Sequence, residues 1–367
     1  MQMARSLPVA LYHYISKLAN AISVHPDTFA SHLKAMERGG FRGIGLDEAV
    51  DFLARGKDLP KGAALLSFDD GFLDNYVHAW PILAERGHKG VVFAVTDRIG
   101  HESPRPTLAD VRDNDALAKD LPHVDEPFGL NELGHRRRRD LFLSWPEARR
   151  MEESGVMAVE PHTASHAEVF RADEYNGFFQ PGPRSRTFDR VGFPVPWGLP
   201  RFATGPGLTT RAFLPSEELL GLVHSLVPQD KAGAHDFFRD EANVQRLRRK
   251  MEALPRSRWG RKEEPGEFAE RVREEVARSV RTVESELGRP ARALAWPWGA
   301  YSPEALEAAR ECGVEAMFCT TTGPNPPGSP LHVHRFKARQ RSGLWLLSRL
   351  HIWSRPWLGG AYARLKR

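Results

Sequence analysis

The sequence predicts an α/β fold, a parallel sheet flanked by helices, and three observations carry that expectation. Short apolar runs alternate with amphipathic helical stretches. Two of the runs end abruptly in carboxylate- or histidine-rich motifs. The 367-residue length suits one large domain with insertions. The run Pro8 to Tyr14 reads as a buried strand. Residues 26–39 follow with helical spacing: Phe29, Leu33 and Met36 share a face, and Gly39-Gly40 ends the helix. Leu46 to Leu53 reads as another helix. Ala63 to Phe68 is a short strand running straight into Asp69-Asp70-Gly71. A helix over about 74–86 and a strand from Gly90 to Thr96 continue the alternation. Ser144 caps the next helix, with Pro146 in its first turn and Gly155 at its end, and the strand Val156 to Glu160 follows. Phe268, Val272, Val276, Val280, Val283 and Leu287 form one stripe over 266–287. Strands at Ala293–Trp296, Ala316–Thr320 and Leu331–Phe336, with a helix at Pro303–Cys312, complete the pattern.

Two stretches break the rhythm. Residues 97–140 are polar and end in the basic run His135 to Arg139. Residues 167–262 begin rich in Pro, Gly and aromatics and end helical and basic. Each follows a strand at the expected active end, so both are expected as a lid or wall, with Phe178, Phe179 and Trp197 as contacts. The expected plan is one domain over 1–340 carrying these insertions, and a basic, Trp-rich helical tail over 341–367.

Composition narrows the function classes. Hydrophobic residues make up 41% and charged residues 27%, as in a globular protein with a proper core. The net charge of +5 suits acidic partners such as phosphate or anionic lipid. The basic runs are scattered and no recognition module is visible, so no nucleic acid is expected. Cys312 and Cys319 are too few for a disulfide framework and read as reduced core thiols. The only apolar run near the N-terminus, Leu7 to Ile15, is cut by Pro8 and Tyr12-His13-Tyr14, and no stretch approaches the roughly 20 apolar residues of a span. The chain is expected in the cytoplasm.

Chemistry concentrates in two motifs. Asp69 and Asp70 end a buried strand, where adjacent carboxylates are costly without a cation. They suit a metal ligand beside a base, or caps for the following helix. His162-Thr163-Ala164-Ser165-His166 spaces two imidazoles at i and i+4, which on a helical face converge on one metal; two structural histidines are the alternative. Both motifs end strands of one βα pattern, where active residues gather. Together they offer one carboxylate and two imidazoles, a three-ligand set with positions left for water and substrate.

SFDDG at 67–71 and HTASH at 162–166 resemble the first two motifs of the polysaccharide deacetylase family, carbohydrate esterases of the NodB-homology type. LYHYI at 11–15, FLSWPEARRMEESG at 142–155, LAWPWGAYSPEAL at 294–306 and the TTGPNPPG loop at 321–328 resemble its poly-N-acetylglucosamine-deacetylase branch, in the expected order. The resemblance implies a distorted (β/α) barrel. It implies one divalent metal, expected as zinc, on Asp70, His162 and His166, and Asp69 as general base. Pro297, Trp298 and Tyr301 would line the substrate groove, and His13 is a further site candidate. Leu331-His332-Val333-His334 resembles the last motif, which makes His334 the general acid. One departure stands out: the Arg that orients the base in many members is replaced here by Ala295.

The expected function is metal-dependent N-deacetylation of an N-acylated sugar, on a glycan or a lipid- or nucleotide-linked precursor of cell-surface polysaccharide. The basic tail suggests peripheral contact with the anionic inner face of a membrane. The alternatives are an O-deacetylase or non-sugar amidase of the same fold, and a non-catalytic glycan- or glycolipid-binding protein.

Overall fold

The computed structural model describes residues 3–125, 129–130, 136–137, 141–181, 191 and 195–365. His135, Arg138 and Arg139 of the basic run, residues 182–190 of the second insertion, and Lys366 and Arg367 of the tail lie outside the described residues. The chain divides into two compact units. One comprises Met1–Pro127, Asp140–Ser165 and Glu275–Arg367; the other comprises Phe128–Arg139 and His166–Glu274.

The first unit is built on a parallel sheet. Its strands are β1 (Val9–Tyr12), β2 (Ala63–Asp70), β3 (Gly90–Ala94) and β4 (Met157–Pro161). Helices α1 (Pro26–Arg38), α2 (Leu46–Arg55) and α3 (Trp145–Glu153) lie in the crossovers. Helix α4 (Pro265–Leu287) then leads to β5 (Ala293–Ala295), α5 (Pro303–Glu311), β6 (Ala316–Phe318) and the short β7 (Phe336–Lys337). The order is β7-β1-β2-β3-β4, with β5 paired in parallel to β6. A bridge from Phe318 to Val333 carries β6 toward β7. The result is a distorted (β/α) barrel, as expected.

Strands enclosed by helices on one side and a barrel core on the other should be apolar throughout, and all eight residues of β2 are buried. The core joins Val9, Leu65, Val91, Phe93, Ala295, Phe318 and Val333 from the strands to Val50, Phe52 and Leu53 of α2. Register decides the site. Asp69 pairs with Phe93 and Asp70 with Ala94, and Ala94 in turn pairs with Pro161. The ends of β2 and β4 are therefore two strands apart and level, with His162 following Pro161.

The second unit has its own core. Glu168–Phe178 pairs antiparallel with Pro200–Pro206, and Phe213–Pro215 pairs with Gly260–Lys262. Helices Glu217–Leu226, Lys231–Arg239 and Glu241–Ala253 complete it. Phe178 and Trp197 are buried in that core with Phe170, Phe202 and Trp259, and Phe179 packs against it. The expectation that these three aromatics offer a face to substrate is corrected: their apolar area is spent holding the unit together.

Candidate metal and catalytic centre

Strand β2 delivers Asp69 and Asp70 to the barrel end, and the backbone then turns through two left-handed residues, Asp70 (φ 75°) and Gly71 (φ 73°). The turn is confined, since a Cβ on Gly71 would sit 2.9 Å from the Ile99 side chain and 3.1 Å from that of Ala94. A non-glycine residue in this region costs on the order of 1–3 kcal/mol, so surrounding structure must hold Asp70 there.

Asp69 is 2% exposed. Arg335, itself buried, grips it with two parallel donors, Nη1 to Oδ1 at 2.6 Å and Nη2 to Oδ2 at 2.9 Å. Burial alone would push the Asp69 carboxyl up; Arg335, with His162 and His13 nearby, outweighs that and holds it below the usual carboxylate range. Arg335 Nε also donates to the carbonyl of Cys319 at 2.8 Å, which fixes the fork. Asp69 is thus no helix cap: it is an ionised carboxylate with a dedicated counter-charge. Arg335 fills the role left open by Ala295, and sequence reasoning missed it. Its one signal was its place directly after His334.

The HTASH segment is not the helical turn its i, i+4 spacing suggested. Thr163 (φ 62°) and His166 (φ 54°) are left-handed, so the segment is a tight loop. It is clamped along its length. His162 N–H donates to the Ala94 carbonyl at 2.8 Å, while the Thr163 and Ala164 carbonyls accept from Thr96 and Asp97. Ser165 donates twice to Glu275 Oε1, at 2.7 and 2.9 Å. The loop does what the helix was expected to do, bringing both imidazoles to one place.

His162 is 2% exposed, and its Nδ1 lies 2.7 Å from the Ala295 carbonyl. A carbonyl only accepts, so Nδ1 carries the proton and Nε2 presents a lone pair. That lone pair faces the carboxylates, 3.7 Å from Asp70 Oδ1 and 3.8 Å from Asp69 Oδ2. Asp70, His162 and His166 each offer one ligand atom, all within 4.8 Å of one another. One carboxylate and two imidazoles, one held in its ligating tautomer by a backbone acceptor, fit a divalent ion with open positions.

His13, between β1 and the next short strand, has its side chain lowered in basicity by burial, with Asp70 and Asp69 pulling the other way. Of the two tryptophans near the third motif, Trp296 is buried and stacks on Tyr301 at 5.2 Å. Trp298, at φ 55°, is 37% exposed, whereas Pro297 is buried. Tyr301 OH reaches His332 Nδ1 at 2.8 Å. His334 is partly buried, its backbone held by Asn325.

Residues 56–177, which contain both SFDDG and HTASH, match the family model for polysaccharide deacetylases. That stretch of the chain is similar to polysaccharide deacetylases. A Bacillus subtilis protein described as a polysaccharide deacetylase, YxkH, is 34% identical over 96 residues, which is 26% of this chain and 34% of that protein. The alignment therefore spans about a third of the relative's length. Among solved structures, the deacetylase domain of BpsB from Bordetella bronchiseptica aligns with a TM-score of 0.56 at 19% identity, covering 91% of this chain and 96% of that one. IcaB from Ammonifex degensii gives 0.53 at 20%, with 94% and 97% covered. A de-N-acetylase from Aggregatibacter actinomycetemcomitans gives 0.59 at 17%, with 94% and 99% covered. These likenesses show the fold over nearly the whole chain.

Proposed function

We propose that the protein is a metal-dependent N-deacetylase acting on an N-acylated sugar. The observation that carries the reading is the pairing of two devices at one barrel end: a three-donor centre of Asp70, His162 and His166, and beside it an ionised Asp69 anchored by Arg335. A binding protein needs neither a buried base nor its counter-charge. Asp70, His162 and His166 would hold a divalent ion, zinc in our reading, which when bound would supply Lewis acidity at the acyl carbonyl and lower the pKa of water. Asp69 accepts the proton from that water, and Arg335 keeps the carboxylate ionised and aimed. His334 gives a proton to the leaving amine. The exposed indole of Trp298 offers a flat apolar face to a sugar ring, with Tyr301 and Pro297 shaping the groove and His13 bordering it.

An amide is favoured over an ester because one chain sharing the fold is described as a de-N-acetylase. The net charge of +5 favours a substrate with an acidic carrier, such as a lipid- or nucleotide-linked precursor of cell-surface polysaccharide on the cytoplasmic face of the membrane. The test is metal analysis of protein purified without chelator, followed by assay of acetate or formate release from a panel of N-acyl sugars and their lipid- and nucleotide-linked forms. Bound metal with release from one substrate class is expected. Protein that binds no divalent ion overturns the reading at its root.

A further inference from the structure

A second group of ligating side chains gathers at Cys319, whose carbonyl accepts from Arg335 Nε. Cys319 follows β6, and Val333 pairs back along it, with the Cys319 N–H donating to the Val333 carbonyl at 2.9 Å. His332 and His334 flank Val333, so strand alternation sends both imidazoles to one side, their rings 4.8 Å apart. Cys319 Sγ and one ring nitrogen from each histidine lie within 4.8 Å of one another.

The three donor atoms face a common point, and the Thr321 hydroxyl marks it. Thr321 Oγ1 lies 2.9 Å from Cys319 Sγ, 2.9 Å from His332 Nε2 and 2.9 Å from His334 Nδ1. The donors are also held from behind. Tyr301 OH on His332 Nδ1 fixes that ring with Nε2 inward. The His334 ring is seated on bare backbone, for a Cβ on Gly323 would come within 2.5 Å of it. Asn325 accepts from the His334 N–H at 2.7 Å and donates to its carbonyl at 2.9 Å. Oriented imidazoles with partners on their far side are how protein metal ligands are supported.

We propose that Cys319, His332 and His334 form a second cation site, taking a thiophilic divalent ion of the zinc class. Cysteine and two histidines make a three-donor tetrahedral set with the fourth position open to water. Binding replaces the thiol proton, which leaves to solvent, so one proton is released per ion and affinity rises with pH. Buried Cys319 supplies the anchor, and neither imidazole is closed off from solvent, so an ion has an entry path. Coordination takes Nδ1 of His334 and leaves Nε2 its proton.

Cobalt(II) titration of the metal-free, full-length protein tests this, because a thiolate–cobalt bond adds a near-ultraviolet charge-transfer band that an Asp/His/His centre does not. The wild type is expected to show the band and to bind one more cobalt per chain than Cys319→Ser. Cys319→Ser is expected to lose the band and keep a native circular-dichroism spectrum. Cys312→Ser, which alters the other cysteine, is expected to keep it. Absence of the band in wild-type protein, or its persistence in Cys319→Ser, overturns the proposal. The band reports sulfur alone, so it appears even if the Asp70 centre binds nothing, and failure of the deacetylase reading is told apart from failure of this site.

Discussion

At the scale of single residues, the site rests on Asp69 and its distant partner. Removing one member of a buried ion pair leaves an uncompensated charge and costs about 3–5 kcal/mol. Arg335→Met is therefore expected to lower unfolding stability by about that amount, read by urea denaturation, and to reduce turnover as the Asp69 carboxyl rises toward protonation. A stable, fully active Arg335→Met protein would mean the fork is ornamental. Asp69→Asn is expected to retain the metal and lose activity by roughly two orders of magnitude or more, the scale of a general base. His162→Ala, by contrast, should lose both metal and activity, and metal content by mass spectrometry separates the two. Asp69 and Asp70 were legible because they end β2, and His162 because it directly follows β4; His166 was found only by its spacing from His162. Arg335 was not, because 266 residues separate it from Asp69. The pairing of β1 with the two-residue strand Phe336–Lys337 brings the two together, and so short a strand carries no periodicity to reveal that.

At the scale of elements, the barrel's alternation was legible and its irregular joints were not. The helices expected at 26–39 and 266–287 appear as Pro26–Arg38 and Pro265–Leu287, since an apolar stripe at helical spacing has one way to be buried. The helix expected over 74–86 appears as a continuous helical stretch over 73–85, with a π-helical turn at Asn75–Ala79 inside it. The strand expected over Leu331–Phe336 shrinks to a bridge at Val333 and the pair Phe336–Lys337. The strand Glu168–Phe178 was invisible because charged residues interrupt its apolar ones and its register against Pro200–Pro206 shifts twice. The HTASH loop gives the element-scale prediction. Thr163 is β-branched and left-handed, and its buried hydroxyl finds no partner among the described residues. Glycine adopts that φ freely, so relief of strain offsets the entropy that glycine adds to the unfolded chain. Thr163→Gly is expected to leave the thermal midpoint unchanged or raised. A loss above about 1 kcal/mol, the ordinary penalty of introducing glycine, would show that the loop holds Thr163 without strain.

At the scale of the whole molecule, the question of membrane contact rests on the tail. The sequence suggested one helix from Leu344 ended by Pro356; the structure has α6 (Gly343–Trp353) and α7 (Pro356–Leu365), the proline starting the second helix at a position that needs no N–H. Helix α6 packs closely on α1, since a Cβ on Gly343 would lie 2.5 Å from the Ser31 carbonyl. Trp353 is buried, and Ser6 donates to its carbonyl at 2.7 Å. Arg349 lies over the rings of Trp345 and Tyr362, at 5.3 and 5.0 Å. Most of the tail is therefore barrel packing, and removing it would expose the α1 face and confuse any binding assay. What remains outward is Leu344, 76% exposed, and Trp357, 72% exposed, with Arg355 and Arg364 also exposed. An indole and a leucine among arginines suit the headgroup boundary of an anionic leaflet, where each basic residue contributes about 1 kcal/mol. Among the described residues no helix is long and apolar enough to cross a membrane, so such contact would be peripheral. The full-length protein is expected to sediment with anionic vesicles at low salt, to release as salt rises, and to ignore neutral vesicles. The double substitution Leu344→Asp with Trp357→Asp should weaken the anionic binding while leaving metal content and stability intact, because neither side chain is part of the packed face. Equal sedimentation of variant and wild type, or none at low salt, would mean that the tail serves only the barrel. The lipid-linked substrate would then lose its structural support and leave a soluble N-acyl sugar, free or nucleotide-linked, as the class to assay.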